Sequence, residues 1–453
     1  MRSIMLRLFF ISALAIMIGG CASVGKVENA SLTADRNTPS YSLGIFQNKW
    51  RNDPNALMLA FSGGGTRAAA LAYGVLEELR NTRVRGSIDD TRLLDEIHSI
   101  SSVSGGSFTA AYYGLHGDGI FEDYEQVFLR QNVQGALIHR LLNPFRWFSG
   151  SGRTEMAVDY YEDTIFKGAT FADMQQVDGP FIAINATDFA RGVRFSFVQN
   201  YFDLLCSDLS SFPVARAVTA SSAVPVLFLP VVVENHSDCD RTKAQAWLQK
   251  ARERVVDKPD LMLTVDDLDS YADHDQRRYI HFVDGGISDN LGLRALYEVI
   301  ELSGGFMQYA GKMQRTPPRR LILISVNAAT DPQSSMDQTP KQPSTAQSIS
   351  AVSNVQLRRY STDTIALVDK SLKRWAEEIS SPQHPVEPYF ILLDFNGIED
   401  PDRREFLNQI PTSFSLTDEQ VDALIAAGGE LLRGNPEFRR LLADLAADAR
   451  SGH

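Results

Sequence analysis

The run Ala56-Leu57-Met58-Leu59-Ala60-Phe61 leads without a break into Ser62-Gly63-Gly64-Gly65-Thr66-Arg67. Six consecutive apolar residues ending at a glycine loop fit a strand buried on both faces, because successive side chains point to opposite sides of a sheet. A helix is predicted next, with Ala72, Val75, Leu76 and Leu79 at the i, i+3, i+4, i+7 spacing. A strand buried on both sides needs cover above and below, which confines the chain to an α/β sheet with helices on its faces. Further strands are predicted over 181–185, 228–233, 280–283, 321–326 and 389–393, with helices between them, for example over 155–166 and 243–256. An acidic insert over 256–275 is expected on the surface. A connection rich in Pro, Ser, Gln and Thr over 331–349 is expected to be mobile. A long helix follows from about 350 to 380, its Ile365, Val368, Leu372 and Trp375 forming a stripe that faces either the core or lipid. Amphipathic helices close the chain over 417–432 and 437–449.

A strand, a glycine loop and a helix N-terminus together present backbone N–H groups to an anion. A phosphate loop would need G-x-x-x-x-G-K-[ST], and neither Lys-Ser nor Lys-Thr follows these glycines. An oxyanion hole fits better, with Arg67 fixing the loop, offsetting charge, or simply lying solvated in the first helical turn. A partner for such a hole is found at Glu96-Ile97-His98-Ser99-Ile100-Ser101-Ser102-Val103-Ser104-Gly105-Gly106-Ser107. This stretch reads as a strand, a sharp turn carrying Ser104, and a helix. The pattern is S-x-S-x-G where a nucleophile elbow is usually G-x-S-x-G, so a plain small-residue turn is the competing reading.

A serine nucleophile needs a proton acceptor. The order Ser, Asp, His would require a histidine downstream of Asp284, and only His384 and His453 qualify. His384 lies in a Ser-Pro-Gln-His-Pro turn and His453 is the last residue. The other reading is a carboxylate acting directly: the apolar run 280–283 delivers Asp284 into Gly285-Gly286, although an aspartate there could also just cap the turn.

The formal charge of −12 argues against a nucleic-acid partner, since no basic stripe is present to hold phosphates. Arg2 and Arg7 precede an 11-residue apolar run over 8–18, then Gly19-Gly20-Cys21-Ala22. The run is too short to span a bilayer and suits a signal-peptide core. Its end resembles a bacterial lipobox, which implies acylation of Cys21 after removal of 1–20; ordinary secretion is the alternative. Ala22 resembles a signal for the outer membrane. Cys206 and Cys239 are the remaining cysteines, and in an exported protein they are expected to pair. The spacing offers no metal-ligand set.

Gly63-Gly64-Gly65-Thr66-Arg67, the Ser104 elbow and Asp284-Gly285-Gly286 resemble, in order and spacing, the patatin-like phospholipases. Asn185-Ala186-Thr187-Asp188 and Ala220-Ser221-Ser222-Ala223-Val224-Pro225 are similar to that family as well. The resemblance covers roughly 56–300. It implies a three-layer α/β/α fold with a mostly parallel central sheet and a helical C-terminal extension. It also implies a Ser104–Asp284 dyad and an oxyanion hole from Gly63, Gly64, Gly65 and Gly105 with Arg67 beside it. Hydrolysis of lipid acyl esters, phospholipid or other, without metal or organic cofactor would follow.

The expected organisation is a signal peptide over 1–20, a tether over 21–50 and a catalytic domain over 51–330, with 331–453 completing the same domain. The expected location is the bacterial cell envelope, with a lipid anchor on the outer membrane. A membrane-anchored lipid-binding or assembly protein with little turnover is the alternative function.

Overall fold

The computed structural model describes residues 25–32, 40–46, 53–85, 90–141, 152–225, 227–312, 316–331, 339–340 and 342–451. Cys21 and the expected signal peptide lie outside these residues, as do 332–338 and 341 of the expected connection.

Eight strands form the central sheet: β1 (Asn55–Phe61), β2 (Ile97–Val103), β3 (Phe181–Asp188), β4 (Arg194–Ser196), β5 (Val231–Glu234), β6 (Tyr279–Val283), β7 (Arg320–Val326) and β8 (Glu387–Leu393). Their order is β8-β7-β1-β2-β3-β6-β5, with β4 added to β3. The five strands from β8 to β3 are parallel, while β4 and β6 run antiparallel to β3, and β5 antiparallel to β6. Every residue of β1, β2 and β7 is buried. Because alternate side chains face opposite ways, both faces must be covered, and the result is three layers.

The helices that frame the site are α1 (Thr66–Asn81), α2 (Gly105–His116), α3 (Val214–Ser221), α4 (Leu293–Ser303), α5 (Thr345–Ile379), α6 (Asp418–Gly434) and α7 (Pro436–Ser451). The backbones of α1 and α6 approach so closely that a Cβ at Gly74 would lie 2.1 Å from the Ile425 carbonyl oxygen, and one at Gly428 2.7 Å from that of Leu71. Along α5, Val368, Leu372 and Trp375 are buried, so the stripe faces the core. Among the described residues no helix is long and apolar enough to cross a membrane.

Two expectations need correction, and a third gains detail. The segment 21–50 is not a free tether where it is described. Asn29 is buried, donating to Ser207 Oγ and the Glu234 carbonyl at 2.7 Å each. The Tyr41 hydroxyl, fully buried, donates to the Ile182 carbonyl at 3.2 Å and accepts from its amide at 2.8 Å. One edge-on and one stacked phenylalanine (Phe171 and Phe181) enclose the ring. The acidic insert over 256–275 lies on the surface, where it forms a helix, Pro259–Asp269, that buries one face through Leu261, Val265 and Leu268. The strand expected over 228–233 begins only at Val231, because Pro230 has no N–H to give a ladder.

Cys206 and Cys239 form a disulfide across 33 positions, their Cα atoms 5.5 Å apart. Closing a loop of that length restricts the unfolded chain. Replacing both cysteines by serine should lower stability by roughly 3–4 kcal/mol, measured by urea unfolding.

Candidate active site

The turn between β2 and α2 forces Ser104 to φ 50 and ψ −121. Positive φ in a residue with a Cβ is a strained state, of order 1–3 kcal/mol, which lifts the hydroxyl off the sheet. The turn closes only if its neighbours are small. At Gly105 a Cβ would lie 2.0 Å from the Gly65 carbonyl oxygen, and at Gly106 2.7 Å from that of Ser62. Ser102, where an elbow usually has glycine, is fully buried with its hydroxyl satisfied. It donates to the Ala183 carbonyl at 3.3 Å and accepts from Ser107 Oγ at 3.1 Å.

Strand register brings Asp284 to the same level. Val103 pairs with Asn185 between β2 and β3, and Val283 pairs with Thr187 between β6 and β3. Since β6 runs against β3, one further residue along each chain places both Ser104 and Asp284 level with Ala186. The side chains meet across β3: Ser104 Oγ donates to Asp284 Oδ2 at 2.8 Å, with 180 positions between them in sequence. The other carboxylate oxygen, Oδ1, accepts from the Gly286 amide at 2.7 Å. The Asp284 main chain is fixed as well, its N–H donating to the Ala223 carbonyl at 3.0 Å and its carbonyl accepting from Thr187 Oγ1 at 2.9 Å. Burial pushes the Asp284 carboxyl up to about 6, and the hydrogen bonds from Gly286 and Ser104 pull the other way. That value is suited to a base working near neutral pH.

The glycine loop packs directly against this turn. Gly64 (φ 142) and Gly65 (φ 62) both adopt backbone states that glycine alone takes without strain. The Gly63 amide donates to the Asn290 carbonyl at 2.9 Å, so Gly63 shapes the loop and is not an open donor as expected. No hydrogen bond from the Gly64, Gly65 or Gly105 amide is found among the described residues. Of the three, Gly65 packs directly on Gly105, the residue after Ser104.

Of the readings open for Arg67, fixing the loop is the one its contacts fit. Its guanidinium is taken up by three acceptors: Nε donates to the Ala328 carbonyl at 2.8 Å, Nη1 to that of Ile410 at 2.6 Å, and Nη2 to Thr412 Oγ1 at 3.0 Å. It is buried against neutral acceptors, and burial pushes its pKa down to about 10. Arg67 therefore clamps the loop to a strap formed by residues 410–413. The strap makes a second contact, the Thr66 amide donating to the Ser413 carbonyl at 2.9 Å. That carbonyl oxygen would sit 2.5 Å from a Cβ at Gly65.

The histidines lie elsewhere. His384 belongs to an exposed turn just before β8, its Nε2 2.9 Å from the Pro317 carbonyl. It lies where the parallel strands begin, whereas Ser104 lies where they finish, and a seven-residue strand is roughly 20 Å long. His98, at the start of β2, accepts from the Leu57 amide and contacts Asp53, each at 3.0 Å. His453 is outside the described residues.

The patatin-like phospholipase sequence profile matches residues 59–297, more than half of the 453 residues, and spans the glycine loop, the elbow and the Asp284 turn. The chain belongs to the patatin-like phospholipase family. Curated protein sequences give no match. Among solved structures, the chain is similar to human GIVD cytosolic phospholipase A2, at 13% identity and a TM-score of 0.44, over 93% of this chain and 62% of that one. The chain thus spans less than two thirds of the human protein's length. It is also similar to VipD from Legionella pneumophila, at 11% identity and a TM-score of 0.29, over 97% of this chain and 80% of that one. The Ile410–Ser413 strap lies outside the family match, as do β7, β8 and the helices α5 to α7.

Asn290 is a residue that the sequence did not single out. Its carbonyl holds Gly63, and its side-chain Oδ1 lies 2.6 Å from where a Gly63 Cβ would be and 2.8 Å from that of Gly286. It thus spans the gap between the glycine loop and the Asp284 turn. The one available signal was its place six residues after Asp284, in Asp-Gly-Gly-x-x-Asp-Asn.

Proposed function

We propose that this patatin-like protein is a lipid acyl-ester hydrolase working through a Ser104–Asp284 dyad, of phospholipase A or lysophospholipase type. The observation that carries the reading is the 2.8 Å hydrogen bond from a strained serine to a buried carboxylate. Asp284 takes the Ser104 proton as Oγ bonds to the ester carbonyl carbon. The Gly64, Gly65 and Gly105 amides stabilise the resulting oxyanion, each such donor being worth ~10²–10³ in rate. The ester C–O bond breaks and the alcohol leaves with the proton held by Asp284. Water then gives a proton to Asp284 and attacks the acyl-serine, releasing the fatty acid and restoring Ser104. No step requires a metal or an organic cofactor.

Export and acylation of Cys21 would place the enzyme on the bacterial cell envelope, anchored in the outer membrane, with membrane lipid esters as substrate. Several acyl chains on one cysteine supply stable anchoring, at ~0.8 kcal/mol per buried CH₂. The purified chain should release fatty acid from a panel of phospholipid, lysophospholipid and acylglycerol esters. A fluorophosphonate should form an adduct on the peptide that contains Ser104. Lipid binding without fatty-acid release at any pH, together with no adduct at Ser104, would overturn the reading in favour of a binding protein.

A further inference from the structure

Ser221 is the last residue of α3 and is fully buried. Its hydroxyl carries one proton, which it donates to the Asn185 carbonyl at 2.6 Å. The lone pairs are left to accept, and the Ser104 amide donates to them at 2.8 Å. The main-chain carbonyl of Ser221 lies in the last turn of its helix, where carbonyls have no intrahelical partner. It accepts instead from the Gly285 amide at 3.0 Å, one residue beyond Asp284. Ser221 is therefore bonded to the turn that carries the nucleophile, to the turn that carries the base, and to β3, the strand that separates them.

We propose that Ser221 is a positioning residue for ester hydrolysis, fastening the Ser104 turn and the Asp284 turn to a single point. The proposal rests on the dyad reading above. Ser104 cannot relax out of its strained φ while its amide is held by this hydroxyl. The Asp284 turn, in turn, cannot slide along β3 while Gly285 is held by the carbonyl. A misplacement of about 1 Å between reacting groups can cost 10²-fold in rate. Neither hydrogen bond touches substrate, so the effect should fall on turnover more than on binding.

The experiment compares Ser221→Ala with Ser222→Ala in the intact chain. Ser222 is its buried neighbour, and its hydroxyl donates at 2.8 Å to the Val218 carbonyl of the same helix end. Ser221→Ala should slow fluorophosphonate labelling and kcat roughly 10- to 100-fold, with KM within about two-fold. It should also raise the midpoint of the acidic limb of kcat/KM. Burial and two hydrogen bonds set the Asp284 pKa, one of them from Ser104, and slackening that bond lets the pKa rise. Asp289, the next carboxylate along, is turned to the Ala295 amide at 3.1 Å and takes no part. Ser221→Thr, which keeps the hydroxyl, should recover the rate and the midpoint. If Ser221→Ala does not fold, Ser221→Cys, with a weak acceptor of similar size, is read the same way.

The proposal is overturned if the Ser221 variant labels within two-fold of wild type, if Ser222→Ala is equally slow, or if the acidic midpoint stays in place. Failure of the dyad itself is distinguished by Ser104→Ala measured alongside. If that variant still takes up the probe at full rate, the nucleophile is misassigned, whatever Ser221 does.

Discussion

Ester hydrolysis by Ser104→Ala should fall by ~10³-fold or more, and fluorophosphonate labelling should disappear. The substitution removes the one oxygen that is both in contact with the Asp284 carboxylate and beside the open amides of the glycine loop. It leaves the strained turn, the Ser221 bond to the Ser104 amide and the surrounding core in place, so the variant should fold. Ser104→Gly should be equally inactive and more stable by ~1 kcal/mol, since glycine takes positive φ without the Cβ clash. A urea titration run beside the activity assay separates the two effects. Full labelling of Ser104→Ala would show that another residue is the nucleophile.

Asp284→Asn should lower kcat/KM by ~10²–10⁴, the range expected for a general base, while making the fold more stable above neutral pH. The direction of the stability change follows from the shifted pKa. Burial raises the folded-state value to about 6, against an unfolded value near that of a free aspartate. The folded protein therefore binds a proton more readily than the unfolded chain between those two values. Above about pH 6 the carboxylate is ionised and its desolvation weighs against folding. Removing the charge should then raise stability on the order of 1–3 kcal/mol at pH 8, and the gain should vanish as pH drops below ~4. On the dyad reading, ionised Asp284 is the active form in the wild type, so kcat/KM should be half lost as pH falls to about 6. An Asp284→Asn variant that keeps wild-type activity, or one that is less stable at pH 8 than at pH 5 relative to wild type, would contradict the assignment.

How far the site could be read from the residues depends on how each part is encoded. The strand at 55–61 and its glycine loop were legible because a continuous apolar run and three glycines leave few other conformations. The elbow and the Asp284 turn were legible as local patterns, and their pairing came from the family resemblance. Nothing within either stretch tells that β6 reverses against β3 and so brings residue 284 level with residue 104. The parts missed are those held through main-chain atoms. Gly63 looked like an oxyanion donor, but its N–H is used by the carbonyl of Asn290, 227 positions away in the numbering of the chain. Arg67 could be read as fixing the loop, offsetting charge or lying solvated, and only the carbonyls at 328 and 410 decide for the first. A carbonyl oxygen is present on every residue, so no composition or spacing marks the ones that matter. Ser221 fell inside a stretch already noted as family-like, but its bonds to Ser104, Asn185 and Gly285 exist only once β3 separates the two turns.

The strap over the glycine loop has a bearing on when the enzyme can first act. A growing polypeptide presents Ser104 early and Asp284 much later, and the Ser413 carbonyl that seats Thr66 comes after both. On the dyad reading, a nascent chain halted between Asp284 and Ser413 would own the nucleophile and its base, but an unshaped cradle for the charge they generate. The glycine loop is thus seated only after residue 413 has been made.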